Sequence, residues 1–156
     1  MSMQHQLLSK KASSYFRTAD HLTYVTYPLV NDLKLIPTIL ENINLALLSA
    51  MNAALEYERY YKRIAPLPEN FDSRYMIFED KLINKYHIIK KEAQVIRQIN
   101  QILNNYKNAP IEFSRKDKFV ICNHEYRMKT VSMPEIKEFL SQTRTIIAKV
   151  SKVVNQ

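Results

Sequence analysis

From Pro37 onward apolar residues return at every third or fourth position: Leu40, Ile43, Leu47, Ala50, Ala54, Tyr57, Tyr61 and Ile64. These steps keep one helical face apolar, so the run predicts a helix of roughly 40 Å. The small residues Ala46, Ser49, Ala50, Ala53 and Ala54 leave room for a close helical neighbour. Ala65-Pro66-Leu67-Pro68 ends the run, because a residue before proline avoids the helical region. A second long helix is predicted from Asp72 or Ser73, with Leu82, Ile89, Ile96 and Leu103 recurring by sevens. Ile88, Val95 and Ile102 widen its apolar stripe. Joined by the short proline-rich turn, the two long helices are expected to form an antiparallel hairpin. Upstream, Leu7, Leu8, Ala12, Tyr15 and Phe16 predict a short helix. Asp20 then caps another from His21, which Pro28 kinks or restarts.

The period changes near residue 111. Ile111-Glu112-Phe113-Ser114 alternates, Phe119-Val120-Ile121-Cys122 is rich in strand formers, and Tyr126, Met128 and Thr130 alternate with cations. Two or three short antiparallel strands are predicted there. Ser132-Met133-Pro134-Glu135 reads as a capping box, and Ile136, Phe139, Leu140, Thr143, Ile146, Ile147, Val150, Val153 and Val154 form the apolar face of a last helix. The fold class predicted is mainly α: an antiparallel helical bundle in one domain over 1–156, with a small antiparallel β annex at 111–131 before the C-terminal helix.

Composition sharpens this picture. The 156 residues include no glycine, so a glycine-rich phosphate loop and most tight hairpins are excluded. The single cysteine, Cys122, excludes an internal disulfide and fits a reducing, cytoplasmic setting. No signal peptide is visible in Met1 to Ser14, and the longest charge-free apolar run, Asn42 to Leu55, is too short to span a bilayer; no membrane role is expected.

The formal charge of +8 points to an acidic partner, most often nucleic acid. Residues 111–156 hold nine cations against five carboxylates, half of the whole excess. Arg115, Lys116, Lys118, Arg127 and Lys129 lie beside Phe113, Phe119 and Tyr126 on the predicted ribbon, and are the candidate phosphate contacts. Cations meet phosphates there and aromatic faces can stack bases, so RNA or single-stranded DNA is the expected ligand. Tyr57, Arg59, Tyr60 and Arg63 form a second candidate patch, of a composition suited to a protein interface.

Nothing in the chain reads as an active site. The four histidines, His5, His21, His87 and His124, do not pair with one another or with Cys122 at metal-ligand spacing, so no metal, no cofactor and no catalytic residue is expected. His124-Glu125 beside Arg127 leaves open a metal-independent ribonuclease. The helical-bundle ribonucleases of the HEPN group carry an Arg followed four to six residues on by His. That spacing counts the residues between the two: Arg17 and His21 have three between them, and Arg115 and His124 have eight, so neither pair fits.

In size, basic helical character and a β annex at Ile111 to Val131, the chain resembles the small subunits of archaeal CRISPR effector complexes of the Cascade type. That resemblance implies a non-enzymatic subunit lining an effector filament in antiviral defence, with other protein subunits as partners and a guide or target strand in contact. A protein–protein interaction module with no nucleic-acid role is the remaining alternative; the sequence does not set an oligomeric state.

Overall fold

A computed structural model describes residues 3–107, 111–115, 118–122 and 128–156. Six α-helical segments lie among them: α1 (Gln4–His21), α2 (Tyr27–Val30), α3 (Leu35–Tyr60), α4 (Phe71–Ile77), α5 (Lys90–Lys107) and α6 (Met133–Val154). Three strands, β1 (Ile111–Arg115), β2 (Lys118–Cys122) and β3 (Met128–Ser132), pair antiparallel in the order β1-β2-β3. The bundle and its annex before the last helix are therefore present as the periodicity predicts.

The centre of the molecule is α3. Ile36, Ile39, Leu40, Ile43, Leu47 and Leu55 are sealed from solvent, and so are Ala46, Ala50, Ala53 and Ala54. The alanine face meets α1, whose own buried side chains Ser9, Ala12 and Ala19 are small, so the two backbones approach closely. By length and apolarity α3 also passes as a membrane crosser, with mean hydropathy 1.2 over its most apolar stretch. That stretch is 61% buried inside the protein, which accounts for its apolarity as core.

Side-chain contacts fix the helix directions. His5 at the start of α1 rests on Tyr57 and Tyr60 at the end of α3, so the two are antiparallel. Ser9 meets Ser151 and Asp20 meets Arg144, which sets α6 antiparallel to α1. Glu92 bonds Lys149, so α5 starts where α6 ends. Burial raises the Glu92 carboxyl, but the Lys149 ammonium and the Ile89 amide outweigh it and hold the group below the usual carboxylate range.

Several expected boundaries move. Asp20 caps nothing: α1 runs through it to His21 and continues as a π turn over Leu22–Thr26 into α2. Pro28 explains the wider turn. It has no N–H to give to Tyr24 and its ring crowds that carbonyl, so the ladder loosens without breaking. The buried Thr23 hydroxyl donates to the Ala19 carbonyl at 2.8 Å across the same turn.

The second long helix is divided. Asn70, two residues ahead of the predicted cap, accepts from the Ser73 amide at 2.8 Å and starts α4. A π turn over Phe78–Leu82 and a turn through 83–87 follow, and only then does α5 begin. The break changes the helical phase, so Ile89 is 61% exposed while Ile88 is buried. The hairpin also changes partners. Arg74 reaches Asn52 and Lys85 reaches Glu58, so α4 and its π extension run parallel to α3, brought back by residues 61–70. The antiparallel mate of α4 is α5, with Glu79 meeting Lys90 and Tyr75 meeting Arg97.

A chain without glycine must stop helices with other residues. Asn31, Lys62 and His87 do so at φ 50°, 58° and 59°. Asn tolerates that region; for Lys62 and His87 the Cβ clash costs about 1 kcal/mol each. The cap of α6 forms as expected, the Ser132 hydroxyl accepting from the Glu135 amide at 3.4 Å with Pro134 in the first turn.

Candidate nucleic-acid interface

Strand register decides how the cations of the annex can act together. Lys118 opens β2, exposed, opposite Arg115 on β1 and Ser132 on β3. Arg115 and Lys118 thus share one cross-strand row. Lys129 stands in another row, opposite Ile121, which is 2% exposed and packed in the core. Lys116 and Arg127 lie outside the described residues, as do Tyr126 and His124. Of the aromatics beside these cations, Phe119 packs inward: it is buried and touches the Tyr106 ring at 5.9 Å, tying β2 to the end of α5. The reason is the alternation of the strand, which sends Phe119 and Ile121 inward with Val131 of β3 to seal the sheet on the bundle.

The second patch sits at the opposite end, where α3 stops and α1 starts. Its geometry is that of a buried ion-pair node. Glu58 is 2% exposed and accepts from the Lys85 ammonium at 2.5 and 3.0 Å and from the Arg63 guanidinium at 3.2 Å. Arg63 also lies 5.0 Å over the Tyr61 ring, and Lys85 5.6 Å over the Tyr57 ring. Glu56, likewise buried, holds Arg59 at 2.9 Å. His5 is buried edge-on to Tyr57 at 5.1 Å; burial lowers its pKa against the opposing pull of Glu56. Among the described residues the buried Tyr86 hydroxyl has no hydrogen-bond partner, and burial together with the Glu58 charge keeps it protonated. Of the four residues proposed for this patch, Arg59 and Arg63 are already engaged with carboxylates and Tyr57 is wedged between rings. Tyr60 remains half exposed, beside Tyr61.

A third feature had no counterpart in the sequence reading. Lys90, Gln94, Arg97, Gln101 and Asn104 follow one another along the exposed side of α5 in steps of four and three. They face α4, and between the helices lie two adjoining cavities of about 420 and 460 Å³. Both are lined by Arg97 and Gln101. The first adds Phe71, Asp72, Asn100 and Asn104; the second adds Tyr75, Glu79, Lys90, Gln94 and Gln98. The signal was present as a polar stripe opposite the core stripe of α5. On one unbroken helix over 72–104 that stripe marks only a solvated face, because a single helix has no groove.

Among the described residues no group of three or more His, Cys, Asp or Glu is placed to hold a metal ion. Cys122 stands in β2 opposite Ile111 and Met128. No protein-family model and no curated protein matches the chain.

Proposed function

We propose that this chain is a non-catalytic, nucleic-acid-associated binding subunit of a larger protein assembly, of the kind represented by the small subunits of archaeal CRISPR effector complexes. One observation supports it above the rest: positive charge is left over at the surface after the ion pairs are made. Asp20, Glu56, Glu58, Glu79 and Glu92 each hold a cation of the bundle. Lys10, Lys11, Lys62, Lys107, Lys118 and Lys152 are exposed and, among the described residues, meet no carboxylate. Exposed cations in a high-dielectric surface bind polyphosphates largely through counterion release, and that binding is lost steeply with salt. Lys118 is the anchor on the annex, with Arg115 in its row.

Labelled oligouridine and oligothymidine, titrated by anisotropy at several salt concentrations, test the proposal. Micromolar or tighter binding at low salt that falls linearly in log–log form is expected. No binding to either strand at low salt overturns it.

A protein-interaction module without a nucleic-acid role rests on a different observation. At the tip of the bundle Tyr24, Val25, Leu29 and Val30 are between 46% and 81% exposed. Large apolar side chains exposed together on one short segment suit a partner surface. The same titration separates the two readings.

A further inference from the structure

We propose that the groove between α4 and α5 receives an extended peptide segment of a neighbouring subunit, carrying a carboxylate for Arg97. The inference rests on the proposed place of the chain in an assembly and names how a partner would be held.

Charge is the first argument. In a chain of formal charge +8 this groove is balanced. Lys90 stands 3.6 Å from Glu79, and Asp72 offsets Arg97 across the first cavity. A phosphodiester backbone would meet Glu79 and Asp72 with too few cations to compensate. An uncharged peptide backbone bearing a single carboxylate at Arg97, which no described carboxylate pairs, avoids that repeated repulsion.

Hydrogen bonding is the second. Gln94, Gln98 and Gln101 present exposed side-chain amides that bond to no described residue. An amide both donates and accepts, so a row of them matches a peptide backbone, whose N–H and C=O groups alternate. Buried backbone groups need such partners, and a helix face without amides would leave them unsatisfied. Length agrees as well. From Lys90 to Asn104 α5 rises roughly 21 Å, which accommodates about six residues of extended chain.

The walls supply selectivity. Phe71, half-buried, stacks on Tyr75 at 6.0 Å and 20° and offers an apolar surface for one side chain. Arg97 lies at the junction of the two cavities with its guanidinium 5.6 Å over the Tyr75 ring. Tyr75 itself is fixed, its hydroxyl donating to Glu79 at 2.6 Å. Arg97 is exposed and, among the described residues, ion-paired to no carboxylate, so its forked donors are available to one on the ligand.

The test uses the full chain as bait for a displayed library of random linear heptapeptides. Enriched peptides are synthesised with a fluorophore and titrated against the wild type and an Arg97→Gln/Gln101→Ala variant. Both side chains are exposed, so an unchanged thermal melt is the control for folding. Enrichment of linear peptides that share one carboxylate position, with affinity at least about tenfold weaker in the variant, supports the groove. No enrichment over a bait-free control, or equal binding by the variant, overturns it. Oligouridine is titrated in parallel. If its affinity falls with the same two substitutions, the groove is a nucleic-acid site and the peptide proposal is wrong. If oligouridine fails to bind either protein while peptides bind, the nucleic-acid role fails and the groove stands.

Discussion

The two ends of the bundle handle positive charge in opposite ways. Where α3 stops, Glu58 and Glu56 are buried and draw Arg63, Lys85 and Arg59 against a stack of tyrosines. At the end that carries the sheet, Lys107 and Lys118 stand exposed, and among the described residues no carboxylate meets them. Cations with buried carboxylate partners hold elements together; cations without partners are available to a ligand. Sequence composition treats both alike, since each end reads as lysine and arginine among aromatics.

Substitutions at the two ends should therefore separate stability from binding. The largest effect is expected from Glu58→Ala. It removes the buried carboxylate that joins the end of α3 to the turn before α5 and deprives two cations of their partner. Because Lys85 and Arg63 are about half exposed and can re-solvate, the loss should be about 2–3 kcal/mol, below that of a fully buried pair. Urea unfolding reads it. A loss under about 0.5 kcal/mol, the range of ordinary surface changes, would make the node a surface ornament and erase the contrast.

Next is Arg115→Glu with Lys118→Glu. Stability should stay within about 0.5 kcal/mol of wild type. Affinity for oligouridine at low salt should fall by about tenfold or more, as two phosphate contacts become repulsive. An Asn70→Ala variant sharpens the structural side. The α4 cap should be worth about 1 kcal/mol, and its removal should leave oligouridine binding unchanged while weakening any ligand of the α4–α5 groove.

The smallest effect concerns pH. Burial lowers the folded-state pKa of His5, with Glu56 opposing. Its contribution to stability is therefore complete above the ordinary imidazole value of about 6.5 and is lost as pH falls below it. Urea midpoints between pH 7.5 and 5 should show this decline in the wild type and a smaller one in His5→Phe. An equal decline in both would move its origin elsewhere.

What the sequence revealed and what it hid divide along physical lines. The core stripe of α3 and the cap at Ser132 are local patterns, and local patterns survive folding. The annex was marked by a change of period from 3.6 to 2. The π turn at Leu22–Thr26 was hidden, because Pro28 signals a break whereas the turn packs on α3 and α6 and the helix continues. The break at 83–89 was hidden for the reverse reason. Neither proline nor glycine marks it; Lys85 meeting Glu58 and Tyr86 entering the core override the helical period there. The seven-residue step from Leu82 to Ile89 matched a helix by coincidence. Likewise, a list of cations cannot say which will find a buried carboxylate: Arg59 and Arg63 did, and Lys118 did not. The groove needs two helices side by side, so it belongs to tertiary structure alone.

The most direct measurement is the salt dependence of oligouridine binding for three proteins side by side: wild type, Arg115→Glu/Lys118→Glu and Glu58→Gln. Wild type should give a steep log–log slope. The annex variant should flatten it by roughly 1.4, two contacts at about 0.7 each. Glu58→Gln should keep the wild-type slope at temperatures where it is folded. A wild type that does not bind at low salt, or an annex variant whose slope matches it, contradicts the division of charge between the two ends.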